Sequence, residues 1–137
     1  MKIRTARAIR ETLGGLLVPL GFCLEGRWPL WTWERQIEGQ AEKVELLVET
    51  SRAGGGALAE REAEETQALE NVRIRRMNVN FAVRRTEAGI DRWMNRPMEE
   101  WFEYEDENSL ERQLQACVWR IESEVLPWMK TMRTRAH

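Results

Sequence analysis

The sequence predicts an α+β fold, an antiparallel sheet of three to five strands packed against an N-terminal and a C-terminal helix. Three observations predict it. Apolar residues recur at helical spacing near the start of the chain, at Ile3, Ala6, Ile9, Leu13, Leu16, Leu17 and Leu20. They recur again near its end, at Leu110, Leu114, Cys117, Ile121 and Val125. Between these stripes Met77, Val79, Phe81 and Val83 alternate strictly with Asn78, Asn80, Ala82 and Arg84, which is the period of a strand with one buried and one polar face.

The first helix carries Arg4, Arg7 and Glu11 away from its apolar stripe, and Pro19 and Gly21 end it. Gly14 and Gly15 weaken it by roughly 1 kcal/mol each relative to alanine. Trp31, Trp33 and Ile37 then point to one side of a strand, and Thr32, Glu34 and Gln36 to the other. Glu38-Gly39-Gln40 reads as a hairpin turn into a second strand, where Val44, Leu46 and Val48 alternate with Glu45, Leu47 and Glu49. Gly54-Gly55-Gly56 breaks the pattern, and residues 57 to 71 are rich in Ala and Glu with Leu58 and Leu69 as their sizeable apolar anchors. Residues 1–137 therefore read as one α+β domain with an insertion at 51–71, helical in part. Beyond the alternating strand, Thr86 to Met98 reads as a loop with a short helical piece around Ile90 to Met94, and Trp101 to Tyr104 as a short last strand. Asn108 and Glu111 offer a capping-box start to the final helix, and Pro127 is its expected stop.

Composition narrows the function by exclusion. Charged residues make up 32% of the chain and apolar residues 42%, with a formal net charge of −2, so there is no global electrostatic case for nucleic acid or an anionic membrane. Cys23 and Cys117 lie far apart and form no CxxC pair. They read as buried reduced thiols, which favours a cytoplasmic location and leaves a bridge between them open. The basic start and the apolar run Leu13 to Phe22 resemble a secretion signal only in outline. Phe22 is bulky where a cleavage site wants a small residue, and the apolar residues keep helical spacing.

Catalytic chemistry finds few reagents. The one histidine is His137, at the terminus, so triads, Cys-His pairs and His-based zinc sites are out of reach. Two isolated cysteines cannot complete a thiolate cage. The Gly54-Gly55-Gly56 run lacks the Gly-Lys-Ser/Thr ending of a phosphate loop. The expectation is no enzyme, no catalytic residues, no metal and no cofactor. A hydrolase built on a carboxylate pair stays open as a third reading, because the 23 acidic residues include many that could flank a cleft.

Several short motifs are similar to those of an uncharacterised bacterial family, domain of unknown function 4304. The turn Leu17-Val18-Pro19-Leu20-Gly21-Phe22 resembles that family's L-x-P-L-G-F turn. Trp31-Thr32-Trp33-Glu34-Arg35 resembles its aromatic-Arg strand, and Met77-Asn78-Val79-Asn80-Phe81 its V-N-x strand. Trp101 to Glu107 and Leu126-Pro127-Trp128 are similar to its acidic Trp stretch and its closing L-P-W. The insertion at 51–71 departs from the pattern. The resemblance implies a fold of this class and supplies no activity and no site residues.

Two surfaces are candidates for recognition. The first is the acidic aromatic stretch of Glu99, Glu100, Trp101, Glu103, Tyr104, Glu105 and Asp106. Its rings offer contact area at little entropic cost and its carboxylates draw in a basic partner. By analogy with small bacterial immunity proteins, that partner would be a basic, toxin-like protein, with self-association also open. The alternative is a small-molecule or anion sensor reading its ligand with Arg76, Asn78, Asn80 and Arg84, since arginine forks clamp anions and asparagine both donates and accepts. Cross-strand ion pairs with Glu45 and Glu49 compete for the same arginines. Among the seven tryptophans, Trp119 lies off the apolar stripe of the last helix and is expected at the surface.

Overall fold

A computed structural model describes residues 2–3, 5–26, 29–52, 67–68 and 72–135. Helix α1 spans Thr5–Leu17, and strands β2 (Cys23–Gly26), β3 (Leu30–Ile37), β4 (Gln40–Arg52), β6 (Val72–Glu87) and β7 (Ile90–Glu103) form a five-stranded antiparallel sheet in the order β2-β3-β4-β6-β7. Two-residue strands β1 (Lys2–Ile3) and β5 (Gln67–Ala68) pair with each other. The chain closes with α2 (Glu107–Arg120), a wide π turn at Ile121–Val125, and α3 (Leu126–Arg135). This is the α+β architecture the periodicities predict, with five strands in the main sheet.

The alternation in the sequence decides which sheet face is covered. Trp31 and Trp33 of β3, Val44, Leu46 and Val48 of β4, and Met77, Val79, Phe81 and Val83 of β6 share one face and join one core with Ile9, Leu13 and Leu17 of α1 and Leu110, Leu114 and Cys117 of α2. Trp31 stacks on Trp33 at 6.2 Å between centroids, and Phe81 meets Trp128 edge-on at 5.3 Å. Burying a large apolar side chain contributes roughly 1.5–3 kcal/mol, so this continuous layer holds the helices to the sheet. The opposite face carries Lys43, Glu45, Glu49, Arg76, Asn80 and Arg84, and no helix of the described residues covers it.

Both tight hairpins use left-handed pairs. Glu38 and Gly39 sit at φ 49° and 78° between β3 and β4, as expected for the turn read there, and Ala88 and Gly89 sit at φ 54° and 78° between β6 and β7. The second hairpin corrects the expected loop from Thr86 to Met98. Ile90 to Met94 is strand, and β7 continues through a bulge into the segment read as a short last strand. Pairing with β6 from Thr86↔Asp91 to Ala82↔Asn95 supplies the hydrogen bonds that override the local helical preference.

The ends of the last helix also differ from expectation. Its capping box is made by Asp106 and Ser109, not by Asn108 and Glu111. The Asp106 carboxylate accepts from the Ser109 N–H at 2.8 Å, and Ser109 Oγ accepts from the Asp106 N–H at 2.9 Å. Pro127 does not stop the helix. Leu126 N–H donates to the Ile121 carbonyl five residues back, so the proline falls in the first turn after the wide turn, where its missing donor costs little. The same turn keeps Cys117, Ile121, Val125 and Met129 buried, although three successive four-residue steps would each drift roughly 40° from a 3.6-residue stripe.

Of the segment read as an insertion, residues 51 and 52 continue β4 and Gln67–Ala68 form β5; the remainder, like Trp28 and His137, lies outside the described residues. Cys23 is an exposed free thiol and Cys117 a buried one. No helix among the described residues is long and apolar enough to cross a membrane.

Candidate functional site

The sheet face that no described helix covers is organised by tryptophans under cations. Pairing places Arg84 opposite Trp93 and Asn78 opposite Trp101. Lys43 Nζ lies 4.3 Å from the centre of the Trp93 ring, with the Arg84 guanidinium 5.4 Å away. The Arg76 guanidinium stands 4.2 Å over Trp101. Each such contact is worth roughly 0.5–2 kcal/mol, more as water is excluded. Arg76 also donates to Glu49 Oε1 from Nε at 3.1 Å and Nη2 at 2.7 Å, the cross-strand ion pair anticipated for that strand. Lys43 Nζ is 3.8 Å from Glu45.

Trp101 remains 37% exposed beside this layer, and its position follows from a bulge. Register passes from Asn78↔Trp101 to Asn80↔Pro97, so residues 98–100 of β7 face one residue of β6. Asn78 fixes the bulge by donating its amide hydrogens to the carbonyls of Met98 and Glu100 at 2.7 and 2.9 Å. Met98 is buried in the core, and Trp101, paired with Asn78, lies on the open face.

The acidic aromatic stretch is thus divided among three tasks. Trp101 lies on the open face, whereas Phe102 and Tyr104 are core residues. Glu100, Glu103 and Glu105 are exposed. Glu100 ion-pairs with Arg120 of α2, which also holds Glu124 at 3.0 Å. Asp106 caps α2, and the hydrogen bonds it accepts from Ser109 hold its carboxyl below the usual range. Glu99 lies in β7, and its side chain is outside the described residues.

The alternative set, Arg76, Asn78, Asn80 and Arg84, comes together on the same face with its groups engaged. Arg76 is held by Glu49 and Trp101, Asn78 by the bulge carbonyls, and Arg84 by Trp93; Asn80 is half-buried. The sequence reading missed Lys43 and Trp93. Their link needs the β4–β6–β7 register, which puts Lys43 opposite Ala82 and Trp93 opposite Arg84. Trp119 is 65% exposed on α2, beside Arg120, as its place off the stripe predicts.

A second polar cluster sits inside the fold. Glu42, with no exposed side-chain surface, takes Arg35 at 2.7 Å and an ion pair from Arg133, and Gln40 Nε2 donates to it at 2.9 Å. Arg35 also donates to the Leu20 carbonyl at 2.7 Å and covers the Phe22 ring at 4.4 Å. Two of the segments that carry the family resemblance, Leu17–Phe22 and Trp31–Arg35, therefore meet at one guanidinium. Both carboxylate oxygens of Glu42 are met by donors, and the cluster fastens β3, β4, α3 and the turn at Leu20 together.

A cleft of about 860 Å³ opens between β7 and α2, lined in part by Arg75, Glu103, Asp106, Ser109 and Arg112. Among the described residues no group of three or more His, Cys, Asp or Glu side chains is placed to hold a metal ion. Compared with family models, with curated proteins and with solved structures, the chain matches none.

Proposed function

We propose that this chain is a non-catalytic protein-binding domain whose open sheet face, covered by no described helix, and acidic end of β7 grip a basic partner. One observation carries the reading: a large aromatic ring, Trp101, stands partly exposed on the sheet face that no described helix covers. Along the same stretch of chain the exposed carboxylates of Glu103 and Glu105, with Glu100 shared with Arg120, supply the opposite charge to such a partner. Aromatic anchors rimmed by charge concentrate binding energy and speed association. A basic, nucleic-acid-directed bacterial toxin is the partner class this chemistry suits, which makes the domain an immunity protein of the bacterial cytoplasm. It requires no cofactor for that role.

Affinity purification from the native host, with mass spectrometry of what is retained, identifies the partner. Titration calorimetry then compares the wild type with Trp101→Ala/Glu103→Ala. Loss of roughly 2 kcal/mol or more of binding is expected where a central aromatic is truncated. Unchanged affinity in the double variant removes this surface from the interface.

A further inference from the structure

Strand register sets an apolar row across the open face. Leu30 of β3 pairs with Leu47 of β4, Leu47 with Asn78 of β6, and Asn78 with Trp101 of β7. Each is the chain neighbour of a core residue (Trp31, Leu46, Met77 and Phe102), so alternation puts the whole row on the face away from the helices. Leu30 is 38% exposed and Trp101 37%, with Leu47 half-buried between them. Asn78 has both amide hydrogens on β7 carbonyls, so it interrupts the row without offering a donor.

Charge beside the row is mostly acidic. Glu45 lies on one flank, and Glu49 and Glu103 lie on the other with Arg76 between them. One position beyond Glu45, Lys43 faces Glu34 and reaches Glu45 at 3.8 Å. Arg76 is held by Glu49 and stacked on Trp101. Among the described side chains paired across these positions, Glu34, Glu45, Glu49 and Glu103 thus stand against Lys43 and Arg76 alone. An apolar stripe with an excess of carboxylates on its flanks attracts the complementary pattern, apolar with cations at the rim.

We infer that the part of the basic partner received by this face is an amphipathic helix laid across the strands, its apolar stripe on Leu30, Leu47 and Trp101 and its flanking cations beside Glu45, Glu49 and Glu103. The inference rests on the basic-partner reading above and names the element that partner presents. Spacing decides for a helix. Neighbouring strands lie about 4.8 Å apart, so the row from Leu30 to Trp101 spans about 14 Å. A helix rises about 5.4 Å per turn, close to one strand per turn, and about ten residues cover the row. Its residues at i, i+3 or i+4, and i+7 then meet the row nearly in step. An extended segment repeats a face every 6.6 Å or so and is out of step after two strands.

The probe is a fluorescein-labelled peptide of about 15 residues, long enough to form a helix on binding. Its leucines make one stripe, lysines flank the stripe and alanines fill the rest. A control peptide of identical composition spreads its leucines round the helix. Both are titrated by anisotropy against the full chain in about 0.15 M salt, where unspecific attraction between exposed charges is screened. The striped peptide is expected to bind about tenfold or more tighter than the control. Leu30→Gln/Leu47→Gln is expected to weaken it by about tenfold or more, because the stripe loses its apolar contacts. A thermal melt checks that this variant folds, and Leu30→Gln alone, at an exposed position, should give a smaller loss in the same direction. Equal binding by the two peptides, no binding by the striped one, or equal affinity for wild type and variant overturns the inference. A wild-type dimer by sedimentation that Leu30→Gln/Leu47→Gln abolishes also overturns it, by assigning the face to a second copy. The reading above falls by a different result, unchanged affinity of Trp101→Ala/Glu103→Ala for the native partner. If the striped peptide fails while that variant still loses the native partner, the helix is removed and the basic partner stays.

Discussion

Arg35 and Glu42 face each other across the β3–β4 hairpin, and the guanidinium donates through Nε at 2.8 Å and Nη2 at 2.7 Å to a carboxylate with no exposed surface. Arg133 arrives at the same carboxylate from α3, 91 residues further along the chain. A charge this deep persists because it is paired and hydrogen-bonded on every side.

Removing one member of the cluster therefore leaves the others buried without compensation. Glu42→Ala is expected to lower stability by about 3–5 kcal/mol, and Arg35→Ala by a comparable amount. Urea unfolding followed by tryptophan fluorescence measures both. Because the two act on one interaction, the double variant should cost less than the sum of the singles.

Asn78 is a structural residue of the same kind, on a neutral scale. With both amide hydrogens on β7 carbonyls, Asn78→Val strands two acceptors and is expected to cost about 1–3 kcal/mol. Amide exchange should rise first around residues 97–101, where the bulge loses its tie. Uniform exchange along β7 would show that the bulge holds without it.

The two thiols should behave in opposite ways. Burial pushes the Cys117 thiol up to about 12 from 9.0, so native protein at mild alkaline pH should show one fast-reacting thiol, the exposed Cys23, and both in denaturant. The folded state keeps the Cys117 proton to higher pH than the unfolded state, so its contribution is complete below 9.0 and is lost as pH climbs to about 12. Cys117→Ala should flatten that alkaline loss.

Gly15 is an avoidable weakness of α1. It is exposed, and a Cβ built there meets nothing within 4 Å. Gly15→Ala is expected to stabilise by about 0.5–1 kcal/mol through reduced backbone freedom in the unfolded chain. A rise in melting temperature of a few degrees checks it. The same substitution at Gly21, with φ 97°, should destabilise instead, since that residue turns the chain in a left-handed conformation alanine resists.

Much of the fold could be read without coordinates, because burial imposes periodicity. A residue facing a core cannot be charged and unpaired, so the stripes of α1 and α2 and the alternation of β3, β4 and β6 are written into residue type. What stayed hidden depended on partners distant in sequence. Ile90 to Met94 has no strong strand pattern of its own, and Ala88 is an unusual residue for a left-handed turn; β6 makes it a strand. Pro127 looks like a stop until the wide turn before it shifts the hydrogen-bond register.

The surface followed the same division. Residue type alone established an acidic, Trp-rich segment, a single histidine and two separated thiols, and with them the scarcity of catalytic reagents. Only the tertiary structure decided that Tyr104 is core while Trp101 is not, that Lys43 and Arg84 meet over Trp93, and that β7 ends the sheet among the described residues. The reason is physical: periodicity records whether a side chain faces apolar neighbours, whereas which charge meets which ring is set by strand register, a property no single strand contains.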